Sequence, residues 1–389
     1  MSTPTPPNPK TSPKPGIRTS GQMLLVIARW VLVIAGLSLV LWNPGPLGEM
    51  RFKILFLLLL SAGNFFLGTK ILRSKGSADW VVYGASLADL AVISLIIVTE
   101  NGFSSPTYIF YYPAILAISV AFPTLEMFAF TGGAVSIYGL VSLFTMDFND
   151  GNFQTLMTRV LMMVAVAVIG NLYRRMEQKR QRAVSVQQES AEDIFFGQIA
   201  IVWARWFFIA AAAILVLWTS ETTGEMTTGV LLIATLMSVN FFIHGRYLSY
   251  KPANQMLTLL TALIDLGLIT FIVAFWGSAG GLASPFFIFL YPLFFAFALV
   301  FRPRLSVGYT VIALASYAVA CLAVDPQFIF ESPDVKQFVM RMITLAAMTG
   351  LGTYYYRTQR ERRREIQNRV SEQQPIPAIL EPAMALQNE

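Results

Sequence analysis

The chain has 389 residues, of which 55% are hydrophobic and 13% charged, and its mean hydropathy is +0.59; a soluble domain carries roughly 25% charged residues, so an ordinary soluble enzyme is excluded. A single cysteine (Cys321) and a single histidine (His244) exclude a disulfide framework, a Cys/His zinc site and thiol redox chemistry. The net charge of +6 fits the cytoplasmic side of a membrane protein better than a nucleic-acid partner.

Residues 1–21 include Pro4, Pro6, Pro7, Pro9, Pro13 and Pro15, which predicts a disordered cytoplasmic tail. The apolar stretch that follows is too long for a secretory signal, contains Arg29 and runs into further apolar stretches. A membrane helix needs about 20 mostly apolar residues. Twelve stretches qualify, near 23–42, 52–72, 80–99, 107–122, 127–146, 155–174, 199–218, 228–247, 256–275, 286–301, 305–324 and 337–356. The fourth and tenth are the shortest, and each follows a proline-containing loop, as a tilted or re-entrant helix would.

With the amino terminus inside, 21 of the 28 basic residues fall on the inner side. Only Arg51, Lys53 and Lys336 fall outside, while Arg29, Arg159, Arg205 and Arg341 lie within stretches. The excess of inner positive charge predicts a multi-pass cell-membrane protein, of the bacterial inner-membrane kind, with both termini cytoplasmic.

The second half repeats the first. Ala28-Arg29-Trp30 recurs as Ala204-Arg205-Trp206, Asn64-Phe65-Phe66 as Asn240-Phe241-Phe242, and Asp89-Leu90 as Asp265-Leu266, each at an offset of 176. Ser105-Pro106, Tyr112-Pro113 and Tyr138 recur at an offset of 179, and Arg159 and Gly170 at 182. An even number of spans per copy gives both copies one orientation. The expected fold class is therefore an all-α integral membrane protein, its twelve transmembrane helices forming two parallel six-helix repeats. The repeats cover 22–176 and 198–358, joined by a charged cytoplasmic linker at 177–197 and followed by a cytoplasmic tail at 359–389 that opens on a basic run. That run reads as a topology anchor or as a contact for anionic membrane lipid.

Ionisable residues inside a bilayer are costly and ask for a partner. Counted at about 1.5 Å per residue from the inner helix ends, Arg29, Asn64 and Asp89 lie at similar depths, as do Arg205, Asn240 and Asp265. Each set reads as an interhelical clamp, or alternatively as a proton relay or ion site. On the outer side, the loops 101–107 (Asn-Gly-Phe-Ser-Ser-Pro-Thr) and 280–286 (Gly-Gly-Leu-Ala-Ser-Pro-Phe) combine glycines with a helix-starting proline. Arg159 and Arg341 open the sixth helix of each repeat near the same depth. Amides at the helix start, an arginine and the following aromatics, from Tyr108 or from Phe286, would suit a planar ring carrying carbonyl oxygens. A plain turn that starts the next helix accounts for the same residues.

The motif Gly280-Gly281-x-x-Ser284-Pro285-Phe286, followed by Tyr291-Pro292, resembles the quinone-associated Gly-Gly-x-x-Asn-Pro-Phe heptapeptide of RegB/PrrB-type redox-sensing histidine kinases. The six-helix unit is similar to the sensor modules of PilS-type kinases. The resemblance implies a quinone-like ligand at Gly280, Gly281, Ser284, Pro285 and Phe286, with Arg341 as a donor, and a degenerate first-copy counterpart at Ser105, Pro106 and Arg159. In this sequence Ser284 stands where the family has asparagine, and the first copy keeps only Gly102 and Pro106 of the motif. His244 lacks the setting of a phosphoacceptor, no phosphate-binding loop is present, and the residues after Tyr356 are too few for a kinase domain. No catalytic residue and no metal site is expected. The function expected is a non-catalytic membrane sensor or scaffold, binding a quinone-like ligand and signalling through a separate protein. Two alternatives are a twelve-helix secondary transporter and an accessory membrane subunit of an electron-transfer complex.

Overall fold

A backbone in hydrocarbon finds no water to bond with, so an apolar stretch must satisfy its amides within its own helix. The computed structural model describes residues 16–42, 47–74, 79–183, 222–248, 255–275, 280–327 and 332–373, together with 202, 205, 206, 208–210, 212, 213 and 216. Among the described residues the regular elements are helices, with no strand. They are α1 (Gly16–Trp42), α2 (Leu47–Ser74), α3 (Asp79–Thr99), α4 (Tyr111–Ala121), α5 (Thr124–Thr145) and α6 (Asp150–Ala183). In the second half they are α7 (Thr223–Leu248), α8 (Gln255–Phe275), α9 (Leu290–Val300), α10 (Pro303–Val324) and α11 (Ser332–Gln373).

Eight helices among the described residues are long and apolar enough to cross a membrane: Gln22–Trp42, Met50–Thr69, Trp80–Thr99, Thr124–Thr145, Gly151–Gln178, Thr223–Ile243, Met256–Phe275 and Pro303–Val324. They coincide with the first, second, third, fifth, sixth, eighth, ninth and eleventh stretches read from the sequence. The fourth and tenth stretches are shorter apolar helices, Pro106–Ala121 and Pro285–Val300, each opening on a 3-10 turn before α4 or α9. The seventh lies largely outside the described residues. The twelfth lies within α11, which is not among the eight. Helix α1 begins at Gly16, inside the expected tail, and α6 and α11 carry on to Ala183 and Gln373. The remainder of both tails and of the linker lies outside the described residues.

The two short helices are the buried ones. At roughly 24 Å they fall short of the bilayer core, and they sit between the long helices. In α4, Tyr111, Tyr112, Ile115 and Leu116 are fully buried, and in α9 so are Tyr291, Phe294 and Phe295. Helix α4 packs on α1 and α6, α9 packs on α11 and touches α6, and α1 also lies along α11. The halves meet where Tyr112 stacks on Tyr291, ring centroids 4.5 Å apart and planes 11° apart. Outward, large apolar side chains such as Phe65, Leu125, Phe144, Phe241 and Val311 stay exposed, Phe144 at 86%. Such a surface is an aggregation hazard in water and the natural one in lipid. The chain is an all-α membrane protein.

Close packing of the short helices depends on two glycines. A Cβ on Gly170 of α6 would lie 2.9 Å from the Ser119 Cβ on α4, and one on Gly352 of α11 would lie 2.7 Å from the Ala298 Cβ on α9. Gly132 of α5 has open space around it. We expect Gly170→Val and Gly352→Val to destabilise the protein by about 1–3 kcal/mol each through overpacking. Gly132→Ala should be neutral or stabilising by up to about 1 kcal/mol; thermal unfolding in detergent measures all three.

Candidate functional site

Each half contains a buried ion pair: one ties α1 to α3, and the other ties Arg205, which precedes α7, to Asp265 on α8. Arg29 on α1 donates from Nε to both carboxylate oxygens of Asp89 on α3, at 2.6 and 2.7 Å, and from Nη2 to the Ala85 carbonyl. In the second half Arg205 reaches only one oxygen of Asp265, with Nε at 2.7 Å and Nη2 at 2.5 Å from Oδ2, while Nη2 also donates to the Thr261 carbonyl at 2.7 Å. Asn64 and Asn240 do not join these pairs. Their Nδ2 atoms donate to the carbonyls of Val26 (3.0 Å) and Val202 (3.4 Å), so they tie α2 to the backbone of α1 and α7 to the backbone at Val202. The carbonyl partners at 26, 85, 202 and 261 are main-chain groups, invisible to a search by side-chain type.

The pairs differ in what surrounds them. Arg29 and Asp89 border a cavity of only about 10 Å³. Arg205 and Asp265 border one of about 70 Å³, walled by apolar side chains that include Phe208, Ile269, Phe289, Leu293 and Phe297. Arg205 Nη1 and Asp265 Oδ1 are buried without a hydrogen-bond partner.

The loops 101–107 and 280–286 turn through left-handed backbone at Asn101 (φ 65°) and Gly102 (φ 59°) in the first and at Gly281 (φ 63°) in the second. Gly280 is extended, and a Cβ on it would run into the Ala274 carbonyl. Ser105 and Ser284 cap the 3-10 turns that follow, their Oγ atoms accepting from the amides of Thr107 (3.2 Å) and Phe286 (3.3 Å). Pro106 and Pro285 occupy the first position of those turns.

The two arginines of the long helices pin these loops. Arg159 Nη1 donates to the Phe103 carbonyl (2.8 Å) and the Tyr138 hydroxyl (2.7 Å), with its guanidinium 3.9 Å above the Tyr108 ring. Arg341 Nη1 donates to the Leu282 carbonyl (2.6 Å) and the Tyr317 hydroxyl (2.9 Å), 3.5 Å above Phe287. Phe286 is buried and stacks on Phe289. The structure therefore brings Gly281, Ser284, Pro285, Phe286 and Arg341 together as one packed turn, and Ser105, Pro106 and Arg159 as another. Of the residues singled out in the sequence, Arg205, Asp265 and one of the aromatics after the motif, Phe289, line the larger cavity.

One residue escaped the sequence reading. Glu100, just past α3, holds the first loop: Oε1 takes Lys53 Nζ at 3.1 Å, and Oε2 accepts from Ser105 Oγ at 2.8 Å and from Thr107 Oγ1. An acid at the end of one apolar stretch and a lysine, Lys53, at the start of another were the available signal. Burial raises the carboxyl's proton affinity, but the hydroxyl donors and the Lys53 charge outweigh it, leaving Glu100 below the usual glutamate value of 4.5.

Two predictions follow from these geometries. Asp89→Asn leaves Arg29 buried without its counter-charge and should destabilise the protein by about 3 kcal/mol in thermal or denaturant unfolding, whereas a relay without structural weight would leave stability unchanged. Because Glu100 binds its proton less readily folded than unfolded, its contribution is present above pH 4.5 and is lost as pH falls through the lower folded value. The acid-induced drop in melting temperature should accordingly be smaller in Glu100→Gln than in wild type.

The chain matches no family model, no curated protein and no solved structure, so what the site does is read from its geometry alone.

Proposed function

We propose that the protein is a non-catalytic multi-pass membrane sensor or scaffold that takes up a hydrophobic, quinone-like ligand and signals through a partner protein. It is built as two parallel six-helix repeats with twelve spans and both termini cytoplasmic, in a cell membrane of the bacterial inner-membrane kind. The repeat is supported by the hydrogen bonds of positions 29, 64 and 159, which recur with matched partners at 205, 240 and 341. The observation that carries the ligand is the apolar cavity of the second half, where aromatic walls surround a buried polar pair.

A ligand shifts a conformational equilibrium only by binding its two states unequally. Helix α9 lines the cavity on one side and packs on α11. A molecule seated against α9 would favour one packing of α9 on α11, and α11 continues into the charged segment after Tyr356, where a partner would read the change.

Protein purified with its native lipids should carry quinone, and added short-tail quinone analogues should raise its melting temperature. If no quinone co-purifies and the midpoint does not move, in wild type as in Phe286→Ala, the ligand is discarded and a scaffold remains. Reporter fusions within 147–154 and 325–336 should lie outside the cell; a cytoplasmic result at either rejects the topology.

A further inference from the structure

The two halves use the same residue types at their clamps yet leave them in different states. Arg29 engages both oxygens of Asp89, and the space beside them, about 10 Å³, is at most what a single water molecule needs. In the second half one guanidinium nitrogen and one carboxylate oxygen have no partner, and a cavity of about 70 Å³ opens beside them. The packing of neighbouring residues differs in the same sense. Gly36 lets Leu57 approach so closely that a Cβ there would lie 2.9 Å from Leu57 Cδ2, whereas the position 176 residues later is Ala212, which lines the larger cavity.

We propose that this second-half cavity is a binding site for the hydroxyl head of a neutral, membrane-soluble molecule, its oxygen accepting from Arg205 Nη1 and its hydrogen donated to Asp265 Oδ1. A buried donor and a buried acceptor left unmet each cost free energy, and one hydroxyl answers both. The ion pair is neutral as a whole, so a charged head gains nothing there. Water is the weaker occupant. It seeks two to four polar partners, the walls are almost wholly apolar, and an alcohol replaces the unmet bonds of water with carbon against Phe208, Phe289 and Phe297. The cavity is partly open at its rim, which lets the apolar body of a longer molecule extend outward.

The site lies apart from the outer loop, because none of Gly280, Gly281, Ser284, Pro285, Phe286 or Arg341 lines it. It also distinguishes redox states. A quinol presents a hydroxyl, whereas an oxidised quinone only accepts and would leave Asp265 Oδ1 unmet, weakening binding about tenfold. The quinol case rests on the sensor reading above. A hydroxyl on another lipid-soluble body shares the chemistry without needing that reading.

The test uses the full chain in nanodiscs of synthetic phosphatidylcholine, with 1-decanol, n-decane, decylubiquinol and decylubiquinone as probes. Decanol and the quinol should raise the melting midpoint, decane and the oxidised quinone should act about tenfold more weakly, and Ala296→Leu, which fills the cavity, should abolish the response. A diazirine-bearing alkanol should label wild-type peptides at Ala212 and at 289–297, a readout that does not depend on any variant folding. Equal responses to decanol and decane, or a full response in Ala296→Leu, overturn the site. Label or quinone protection confined to the 280–286 loop overturns it too, while leaving the sensor reading standing. Decanol binding without quinol binding upholds the site and assigns it to another hydroxyl-bearing lipid.

Discussion

Lipid cannot solvate an arginine. Every guanidinium held within this bundle must find its hydrogen-bond partners inside the protein, and that requirement organises both halves. Arg29 and Arg205 each bind an aspartate and a carbonyl one turn before that aspartate, and Arg205 Nη1 is left without a partner. Arg159 and Arg341 meet the requirement with a tyrosine hydroxyl, a loop carbonyl and the face of an aromatic ring. Helices that would otherwise slide past one another in a uniformly apolar solvent are thereby held in one register. The energetic gain of each pair is modest, because desolvation offsets attraction; its main effect is that any other arrangement strands a charge.

The glycine-containing loops are part of the same solution. The left-handed turns at Gly102 and Gly281 present the carbonyls of Phe103 and Leu282 to Arg159 and Arg341, and the serines at 105 and 284 cap the turns that follow. The glycines, serine and proline of the motif thus each have a local conformational cause. Glu100 adds a further lock to the first loop through Lys53 and two hydroxyls. With both loops held, the short aromatic helices α4 and α9 are delivered to the centre, where Tyr112 and Tyr291 stack across the halves.

Differences between matched positions carry more functional information than the matches. The first clamp is closed on both oxygens and nearly void-free, as a purely structural tie should be. The second is asymmetric, with two polar atoms idle beside an apolar space.

The sequence alone determined the class of solvent, the helical character and most of the apolar helices, because length and hydropathy of a span are local properties. It also singled out Arg29 with Asp89 and Arg205 with Asp265, since a charge in hydrocarbon requires an opposite one at its own depth and few were available. Asn64 and Asn240 donate to main-chain carbonyls, which any residue supplies and no side-chain pattern singles out. Tertiary structure decided the rest: that Arg341 is spent on Leu282 and Tyr317, that Glu100 guards the first loop, and that an apolar cavity opens beside Asp265. A cavity is the difference between volumes contributed by helices far apart in the chain, and no run of residues contains that difference before the helices have packed.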